Sequence, residues 1–201
     1  LKLAKIYSLL SNKIVVGGFS KAHRKNSSNN SILSFTKGYL SHGIKREIQK
    51  LNLWKKFSRK NFLIFLGGSK KEKAEIGLMK LSKKFKFIVP SGILLNTILK
   101  NQGLNIGKSK IFDNKLYKLV GNFLKRYRSK IILPEKIIVI NLSTNQKKTI
   151  STEEVQKNDI ICGFHLSARL KKLISNSNYD EKILLSGSPC FIEKKIYEPC
   201  K

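Results

Sequence analysis

The run of residues from Asn61 to Lys70 combines a buried strand with groups that can bind phosphate. Its apolar part, Phe62–Leu66, is typical of a strand that is covered on both faces, as in parallel sheets. Gly67 and Gly68 follow directly and allow backbone amides to approach a ligand closely. Lys70 then supplies a cation at the carboxyl end of the strand, where open α/β sheets bind their ligands. The run therefore predicts a phosphate site, and the alternative is a tight strand-to-helix turn whose lysine is solvated.

Two further turns of small residues follow candidate strands. The turn Pro90–Gly92 comes after Phe85–Val89, and the turn Ser186–Pro189 comes after Lys182–Leu185. For each turn the alternative is an ordinary loop. If the three strands are parallel, their turns would line one crevice along the carboxyl edge of the sheet, where a nucleotide would lie.

The segment Gly103–Ser109, GLNIGKS, is an incomplete match to a Walker-type phosphate loop. Such a loop needs four residues between its first glycine and the Gly-Lys-Ser, and here Gln102 holds the position of that first glycine. The segment also follows a helical pattern, whereas a phosphate loop should follow a strand. We therefore interpret Gly103 as the C-cap of a helix.

His23 and Arg24 end the basic segment FSKAHR, which begins at Phe19. The guanidinium group of Arg24 could form a bidentate pair with a phosphate or a carboxylate, and His23 could donate a hydrogen bond beside it. On composition alone, the alternative is a basic turn that is solvated. Both interpretations place the segment at the surface.

The chain carries an unusually high positive charge. Its 201 residues include 41 Lys and Arg against 12 Asp and Glu, which gives a formal net charge of +29. One interpretation is a nucleic-acid surface, because basic patches release counterions from a phosphate backbone. The other is compositional drift, because Lys, Asn, Ile and Ser are abundant and the lysines are spread along the chain. In either case we expect attraction to polyanions at low salt.

The cysteines and histidines predict no metal site. Cys162, Cys190 and Cys200 form no C-x-x-C pair, and the histidines lack zinc-finger spacing. An odd and sparse cysteine count suits a reducing compartment. Since the sequence shows no signal peptide and no apolar run of membrane length, we expect a cytoplasmic protein without a membrane partner.

Apolar runs alternate with helical patterns, which predicts an α/β fold with a mostly parallel sheet and flanking helices. Apolar residues at three-to-four spacing mark helices at Ile76–Leu81, Leu94–Leu99 and Leu116–Leu124. An amphipathic helix is predicted at His42–Trp54, and a polar surface loop at Asn141–Lys148. The candidate strands are Lys13–Val16, Phe62–Leu66, Phe85–Val89, Lys130–Leu133, Lys136–Leu142 and Lys182–Leu185.

Taken in order, these segments resemble the phosphoglycerate kinase family of two-domain glycolytic enzymes. Phe19–Arg24 resembles the family's Ala-Phe-Gly-Thr-Ala-His-Arg, and Leu66–Lys70 resembles its Gly-Gly-Ala/Ser-Lys. Asn96–Ser109 resembles Asn-Thr-Phe-Leu…Gln-Gly…Val-Gly-Lys-Ser, so the incomplete phosphate loop is a family feature. Ile132–Ile140 follows Leu-Leu-Pro-x-Asp-x-x-Val, and Lys182–Glu193 follows Lys-Thr-Ile-x-Trp-Asn-Gly-Pro-x-Gly-x-Phe-Glu.

The resemblance implies a role for each matching residue. Arg24 and His23 would face 3-phosphoglycerate, and Lys70 would contact the phosphoryl group during its transfer. Lys73 is the best candidate for the family's second phosphate-binding lysine, although an extra residue shifts the register within Lys71–Glu75. The other nucleotide-binding positions would be the backbone of Gly67, Gly68 and Gly92, Ser186 in place of the family's Asn, and Glu193 on the ribose hydroxyls.

The resemblance also implies two domains. Residues 1–41 would end the N-terminal α/β substrate domain, residues 42–57 would form the connecting helix, and residues 58–201 would form an incomplete, Rossmann-like nucleotide domain. The match covers only the middle of the family's length. Most of the substrate domain would precede Leu1, and the aspartate that holds Mg²⁺ in the family would follow Lys201.

The implied reaction is reversible phosphoryl transfer between 1,3-bisphosphoglycerate and MgADP, which gives 3-phosphoglycerate and ATP. The family resemblance implies a monomer, and we expect this chain alone to be weakly active or inactive. The alternative is a catalytically dead kinase relic that uses its positive charge to bind RNA or a ribonucleoprotein. That alternative predicts a steep loss of RNA affinity with salt.

Overall fold

The computed structural model describes residues 1–56, 61–177 and 182–187. The chain divides into two compact units, Leu1–Ser58 and Arg59–Lys201. Within the described ranges, no helix combines the length and the apolar character that crossing a membrane requires.

The first unit contains two helices and a two-stranded sheet. Helix α1 spans Lys2–Ser8, strand β1 spans Lys13–Val16, strand β2 spans Lys37–Leu40 and helix α2 spans His42–Lys56. β1 pairs in parallel with β2 along its whole length. β1 has the bounds predicted from the sequence. β2 was missed, because all four of its residues are exposed and show no alternation of apolar and polar side chains.

The helix predicted from residue 42 is present as α2, but its apolar side is only partly covered within the unit. Ile44 is buried, whereas Ile48 and Leu51 are 37% and 49% exposed. Ala4 and Ile32 are also buried. Whether α2 connects two domains, as the resemblance implies, stays a prediction.

The second unit contains six described strands and four described helices. The strands are β3 Asn61–Leu66, β4 Phe87–Pro90, β5 Lys136–Asn141, β6 Lys147–Ser151, β7 Asp159–Phe164 and β8 Lys182–Ser186. The helices are a π-helix at Lys73–Leu81, α3 Gly92–Asn101, α4 Asn114–Tyr127 and α5 Ala168–Ser175. Short 3-10 turns at Ser82–Lys84 and Arg128–Lys130 follow the π-helix and α4.

The strands of the second unit form two sheets. β3 lies between β4 and β8, and all three strands are parallel, as the apolar runs predicted. β5 lies between β6 and β7, and this sheet is antiparallel. The fold is therefore α/β with a Rossmann-like parallel sheet and flanking helices, and the antiparallel sheet is an addition that the sequence did not indicate.

Two local predictions are wrong. Lys130–Leu133 is not a strand: Ile131 makes only an isolated bridge to Ile88, after a 3-10 turn. The loop predicted at Asn141–Lys148 ends early, because β6 begins at Lys147. β6 resembles a polar loop in sequence because it pairs with β5 alone and leaves its lysines exposed.

Strand β3 separates two apolar cores. Ile64 and Leu66 belong to a core with side chains of the π-helix, α3 and α4, whereas Leu63 packs with α3, β5, β7 and α5. Consecutive residues of a strand face opposite sides, so β3 contributes to both cores in alternation. Residues 93–99 of α3 are all buried, because this helix also contributes to both cores.

The Gly-Lys-Ser segment has a structural role. The N–H of Lys108 donates to the carbonyl oxygen of Asp159 at 2.8 Å, and the Oγ of Ser109 accepts a hydrogen bond from the N–H of Ile161 at 2.9 Å. These bonds attach the loop after α3 to β7. α3 ends at Asn101, so the segment follows a helix as predicted. The predicted C-cap is wrong by one residue, because Gln102 is the C-cap and Gly103 follows it with a φ of 84°.

The close packing of this loop predicts that Gly107→Ala destabilises the second unit more than Gly103→Ala. Both glycines have positive φ, 58° and 84°, so each alanine would cost about 1–2 kcal/mol of strain. A Cβ on Gly107 would also overlap the backbone carbonyl oxygens of Asp159 and Gln156, whereas Gly103 has open space. Urea unfolding should show that Gly107→Ala loses at least about 2 kcal/mol more. Equal losses would contradict the close approach.

Candidate functional site

Three turns meet at the carboxyl edge of the parallel sheet. In the strand register, Leu66 of β3 lies opposite Pro90 of β4 on one side and Ser186 of β8 on the other. The N–H of Gly67 donates to the Ser186 carbonyl oxygen at 3.0 Å, and the N–H of Ser91 donates to the Leu66 carbonyl oxygen at 3.0 Å. The structure therefore brings together the described parts of the three small-residue turns.

Backbone atoms of these turns approach one another closely. A Cβ on Gly187 would overlap the carbonyl oxygen of Gly67 and would lie 3.0 Å from Cε of Lys73. A Cβ on Gly92 would lie 3.4 Å from the backbone nitrogen of Gly68. The turn after β8 therefore packs directly against the turn after β3, and position 187 requires a glycine.

Lys73 is the cationic side chain that reaches this edge. It is the first residue of the π-helix, and its Nζ donates to Oγ of Ser186 at 3.0 Å. Lys73 is half-buried, and its amino group therefore lies against the turn that follows β8. The sequence left the register of Lys71–Glu75 uncertain. In the structure, the side chain of Lys73 contacts Ser186, which is itself a predicted site residue.

Lys70 lies at the start of the segment that leads from β3 into the π-helix. Its carbonyl oxygen accepts a hydrogen bond from the N–H of Lys73 at 3.0 Å, and its side chain is exposed. This hydrogen bond closes a turn that begins at Lys70 and ends at Lys73. An exposed ammonium group on a flexible stem can move to a phosphoryl group that enters the crevice.

The sequence analysis missed an ion pair that joins this segment to α4. Nζ of Lys71 lies 2.7 Å from Oδ2 of Asp113, and Oδ1 of Asp113 accepts a hydrogen bond from the N–H of Leu116 at 3.0 Å. Asp113 is therefore the N-cap of α4. An aspartate just before an amphipathic helical pattern is a signal that could have identified the cap, but not its ion pair.

This ion pair shifts the titration of both groups. The hydrogen bond from Lys71, followed by the one from the Leu116 N–H, lowers the pKa of the Asp113 carboxyl. The hydrogen bond to Asp113 and its negative charge raise the pKa of Lys71. Both side chains are exposed, so the pair is screened by solvent and contributes little beyond fixing the start of α4.

The three remaining predicted site residues are His23, Arg24 and Glu193. His23 and Arg24 belong to the first unit, where both are exposed after a 3-10 turn at Phe19–Lys21. The N–H of Arg24 donates to the Lys21 carbonyl oxygen at 3.0 Å. Glu193 lies outside the described residues. The roles of these three residues stay predictions.

The described residues at this edge do not fit a magnesium ion held by protein carboxylates. Among residues 1–56, 61–177 and 182–187, no group of three or more His, Cys, Asp or Glu side chains could hold a metal ion.

Fold and site together define an α/β protein in which three small-residue turns meet at the carboxyl edge of a parallel sheet. The family model described as phosphoglycerate kinase matches residues 2–198. The chain therefore belongs to the phosphoglycerate kinase family, as the sequence motifs had indicated.

Curated relatives support the same family at low identity. The phosphoglycerate kinase of Wolbachia pipientis wMel is 29% identical over 190 residues, a match that covers 92% of this chain and 47% of that protein. The one from Wigglesworthia glossinidia brevipalpis is 32% identical over 164 residues, covering 79% of this chain and 40% of that protein. The chain thus spans about half the length, or less, of these relatives.

Solved structures agree on the fold. The phosphoglycerate kinase of Coxiella burnetii superposes with a TM-score of 0.71 at 23% identity, covering 94% of this chain and 50% of that one. The enzyme from Pyrococcus horikoshii OT3 gives a TM-score of 0.67 at 16% identity, covering 92% and 48%. At these identities the superpositions establish the fold alone.

The lowered pKa of Asp113 predicts how the stability of the second unit depends on pH. Because the folded-state pKa lies below the unfolded value of about 3.9, the contribution is fully present above that value. It is lost as pH falls through the folded pKa. Asp113→Asn keeps a capping side chain but removes the charge. The melting temperature of the wild type should exceed that of Asp113→Asn by a small amount at about pH 6, and the difference should shrink as pH falls below about 4. A difference that is independent of pH would contradict this assignment.

Proposed function

We propose that this chain contributes the nucleotide half of a phosphoglycerate kinase site. The single observation that carries the proposal is the meeting of the three turns, at Gly67–Gly68, Gly92 and Ser186–Gly187, with the amino group of Lys73 against them. The turns offer backbone amides and the lysine offers charge, which are the groups that bind the phosphates of a nucleotide. The family membership supports ADP and ATP as ligands.

The proposed reaction is phosphoryl transfer between the acyl phosphate of 1,3-bisphosphoglycerate and MgADP, giving 3-phosphoglycerate and ATP. Such transfer depends on positioning and charge neutralisation, because the negative charge is spread over the oxygens of the transferred group. In this scheme Lys73 binds the nucleotide phosphates, and the exposed Lys70 follows the phosphoryl group. Gly67, Gly68 and Gly92 form the wall of the pocket.

The other predicted site residues complete the proposal. His23 and Arg24 would bind the carboxylate or phosphate of 3-phosphoglycerate, and Glu193 would bind the ribose hydroxyls. Ser186, which accepts the hydrogen bond from Lys73, would release that lysine when a phosphate enters. Mg²⁺ arrives with the nucleotide and neutralises phosphate charge there. We propose a cytoplasmic monomer, as expected for a glycolytic kinase.

Nucleotide binding and turnover are separate expectations for this chain. The chain spans about half the length of the relatives that it matches. We therefore expect little or no turnover from these residues alone, even where they bind the nucleotide. The relatives compared above are all named phosphoglycerate kinases, which gives no support to the alternative of a dead relic that binds RNA.

Calorimetric titration with MgADP tests the proposal. At about 0.15 M salt, where the Debye length is about 8 Å, we expect saturable binding at one site. Lys73→Ala should weaken the affinity at least about tenfold, because a charged hydrogen bond contributes about 1.5–3 kcal/mol. Lys70→Ala should weaken it less, since that side chain is exposed.

Lys171→Ala is the matched control. It removes an equally charged, exposed lysine on α5, and we expect no change in affinity. Circular dichroism melting should show that each variant folds cooperatively. No binding by a folded wild-type chain, or equal losses from Lys73→Ala and Lys171→Ala, would refute the proposed nucleotide site.

A further inference from the structure

A second candidate site lies between the π-helix and the C-terminal half of α4. A groove of about 480 Å³ opens there, and we call it the basic groove. Met79, Phe123 and Tyr127 line it with apolar and aromatic surface that is buried or half-buried. Lys83, Lys125 and Arg126 also line it, and all three are exposed. The groove therefore combines an apolar, aromatic surface with mobile cations.

A smaller cavity of about 290 Å³ continues this surface across α4. Lys125 lines both cavities, so the two share the last turns of α4 as a common wall. The second cavity adds Arg128 as a cation and Gln102 as an exposed amide. A flexible ligand could therefore cross from one cavity to the other over the Lys125 side chain.

No acidic side chain lines either cavity as described. From Ile76 to Pro134 the sequence contains a single acidic residue, Asp113. Asp113 caps the beginning of α4, at the opposite end of the helix from the groove, and it is paired with Lys71. The positive charge of the groove is therefore not neutralised by carboxylates along this stretch of chain, which favours an anionic ligand.

One cation of the groove lies beside its aromatic ring. Nζ of Lys83 lies 5.9 Å from the centroid of the Tyr127 ring. Nζ of Lys130, which is outside the groove lining as described, lies 6.0 Å from the same ring. Lys130 also donates to the carbonyl oxygens of Lys83 and Phe85, at 3.2 and 2.9 Å. These contacts join the turn after the π-helix to the turn after α4 and place Lys83 beside Tyr127.

The basic groove lies at the opposite edge of the parallel sheet from the nucleotide crevice. Lys83 precedes β4, whereas the crevice turn at Gly92 follows it. β4 has four residues, so about 13 Å of strand separates these edges. α4 extends between the same two edges of the sheet. Its first turn is tied to Lys71, which follows β3, and its last turn lies beside Lys83, which precedes β4. The two sites can therefore be occupied independently.

We propose that the basic groove binds single-stranded RNA. Its phosphates would lie against Lys83, Lys125 and Arg126, and an unpaired base would contact the aromatic surface at Tyr127. The exposed amides of Asn122 and Gln102 could bond ribose hydroxyls, which are donors and acceptors in RNA. An acidic peptide would contact the cations but would leave the aromatic surface uncovered. This property goes beyond the proposed kinase function and does not depend on it.

Fluorescence anisotropy with a labelled oligouridylate of about 12 nucleotides tests the proposal, because single-strand sites span about 4–16 nucleotides. The groove variant replaces Lys83, Lys125 and Arg126 by alanine. The control variant replaces Arg169, Lys171 and Lys172 of α5 by alanine, so both lose two lysines and one arginine from exposed positions. The two variants have equal net charge, and non-specific attraction should weaken equally in both.

At about 0.15 M salt we expect the groove variant to bind the RNA at least about tenfold more weakly than wild type, and the control variant less than about twofold. The slope of log affinity against log salt should fall by about 2 for the groove variant, since each phosphate contact in a single strand contributes about 0.7. Equal losses in the two variants, or no binding by wild type, would overturn the proposal.

Two further measurements separate the proposed ligand from its alternatives. Tyr127→Leu keeps an apolar side chain and every charge, and it should still weaken RNA binding about threefold or more, because a base can no longer stack on the ring. Saturating MgADP should leave RNA binding unchanged. Displacement of the RNA by MgADP, or equally strong competition by an acidic peptide of the same charge, would overturn the assignment to this groove.

Discussion

The burial of β3 between two parallel neighbours is the constraint on which the second unit depends. Because β4 and β8 both pair with β3, the backbone of this strand is satisfied on both edges. Its side chains then alternate between two cores, with Ile64 and Leu66 in one and Leu63 in the other. A shift of one residue in the register would exchange these faces. The same register fixes where the strand ends, and therefore where Gly67 lies relative to its neighbours.

The site follows from that register with little help from side chains. Parallel strands end at one edge, so the turns after β3, β4 and β8 meet there and hydrogen bond to one another. Their glycines keep the edge free of Cβ atoms, and the amino group of Lys73 comes to it from the π-helix. An edge built from peptide groups depends little on the identity of the surrounding side chains.

The sequence predicted much of what depends on apolar patterning, although β7 and α5 were not predicted, and it missed what depends on pairing in three dimensions. The apolar runs at β1, β3, β5 and β8 identified those strands within one or two residues, and the helical spacing identified α3 and α4. β2 and β6 were missed because their exposed residues show no apolar pattern. The meeting of the turns could be inferred from parallel strands, but the contacts Lys73–Ser186 and Lys71–Asp113 join residues distant in sequence. The π-helix, which decides where Lys73 points, has no sequence signature of its own.

The stretch from Ile76 to Pro134, with its single carboxylate, has a consequence for folding as well as for binding. Folding brings the lysines of the turn after the π-helix next to those at the end of α4, so the compact state must bear mutual repulsion that the extended chain avoids. Salt screens this repulsion, since the Debye length at about 0.15 M is about 8 Å. Dissolved ions therefore act on this unit in two opposite directions. They favour its folded form and, at the same concentrations, compete with any polyanion for its surface.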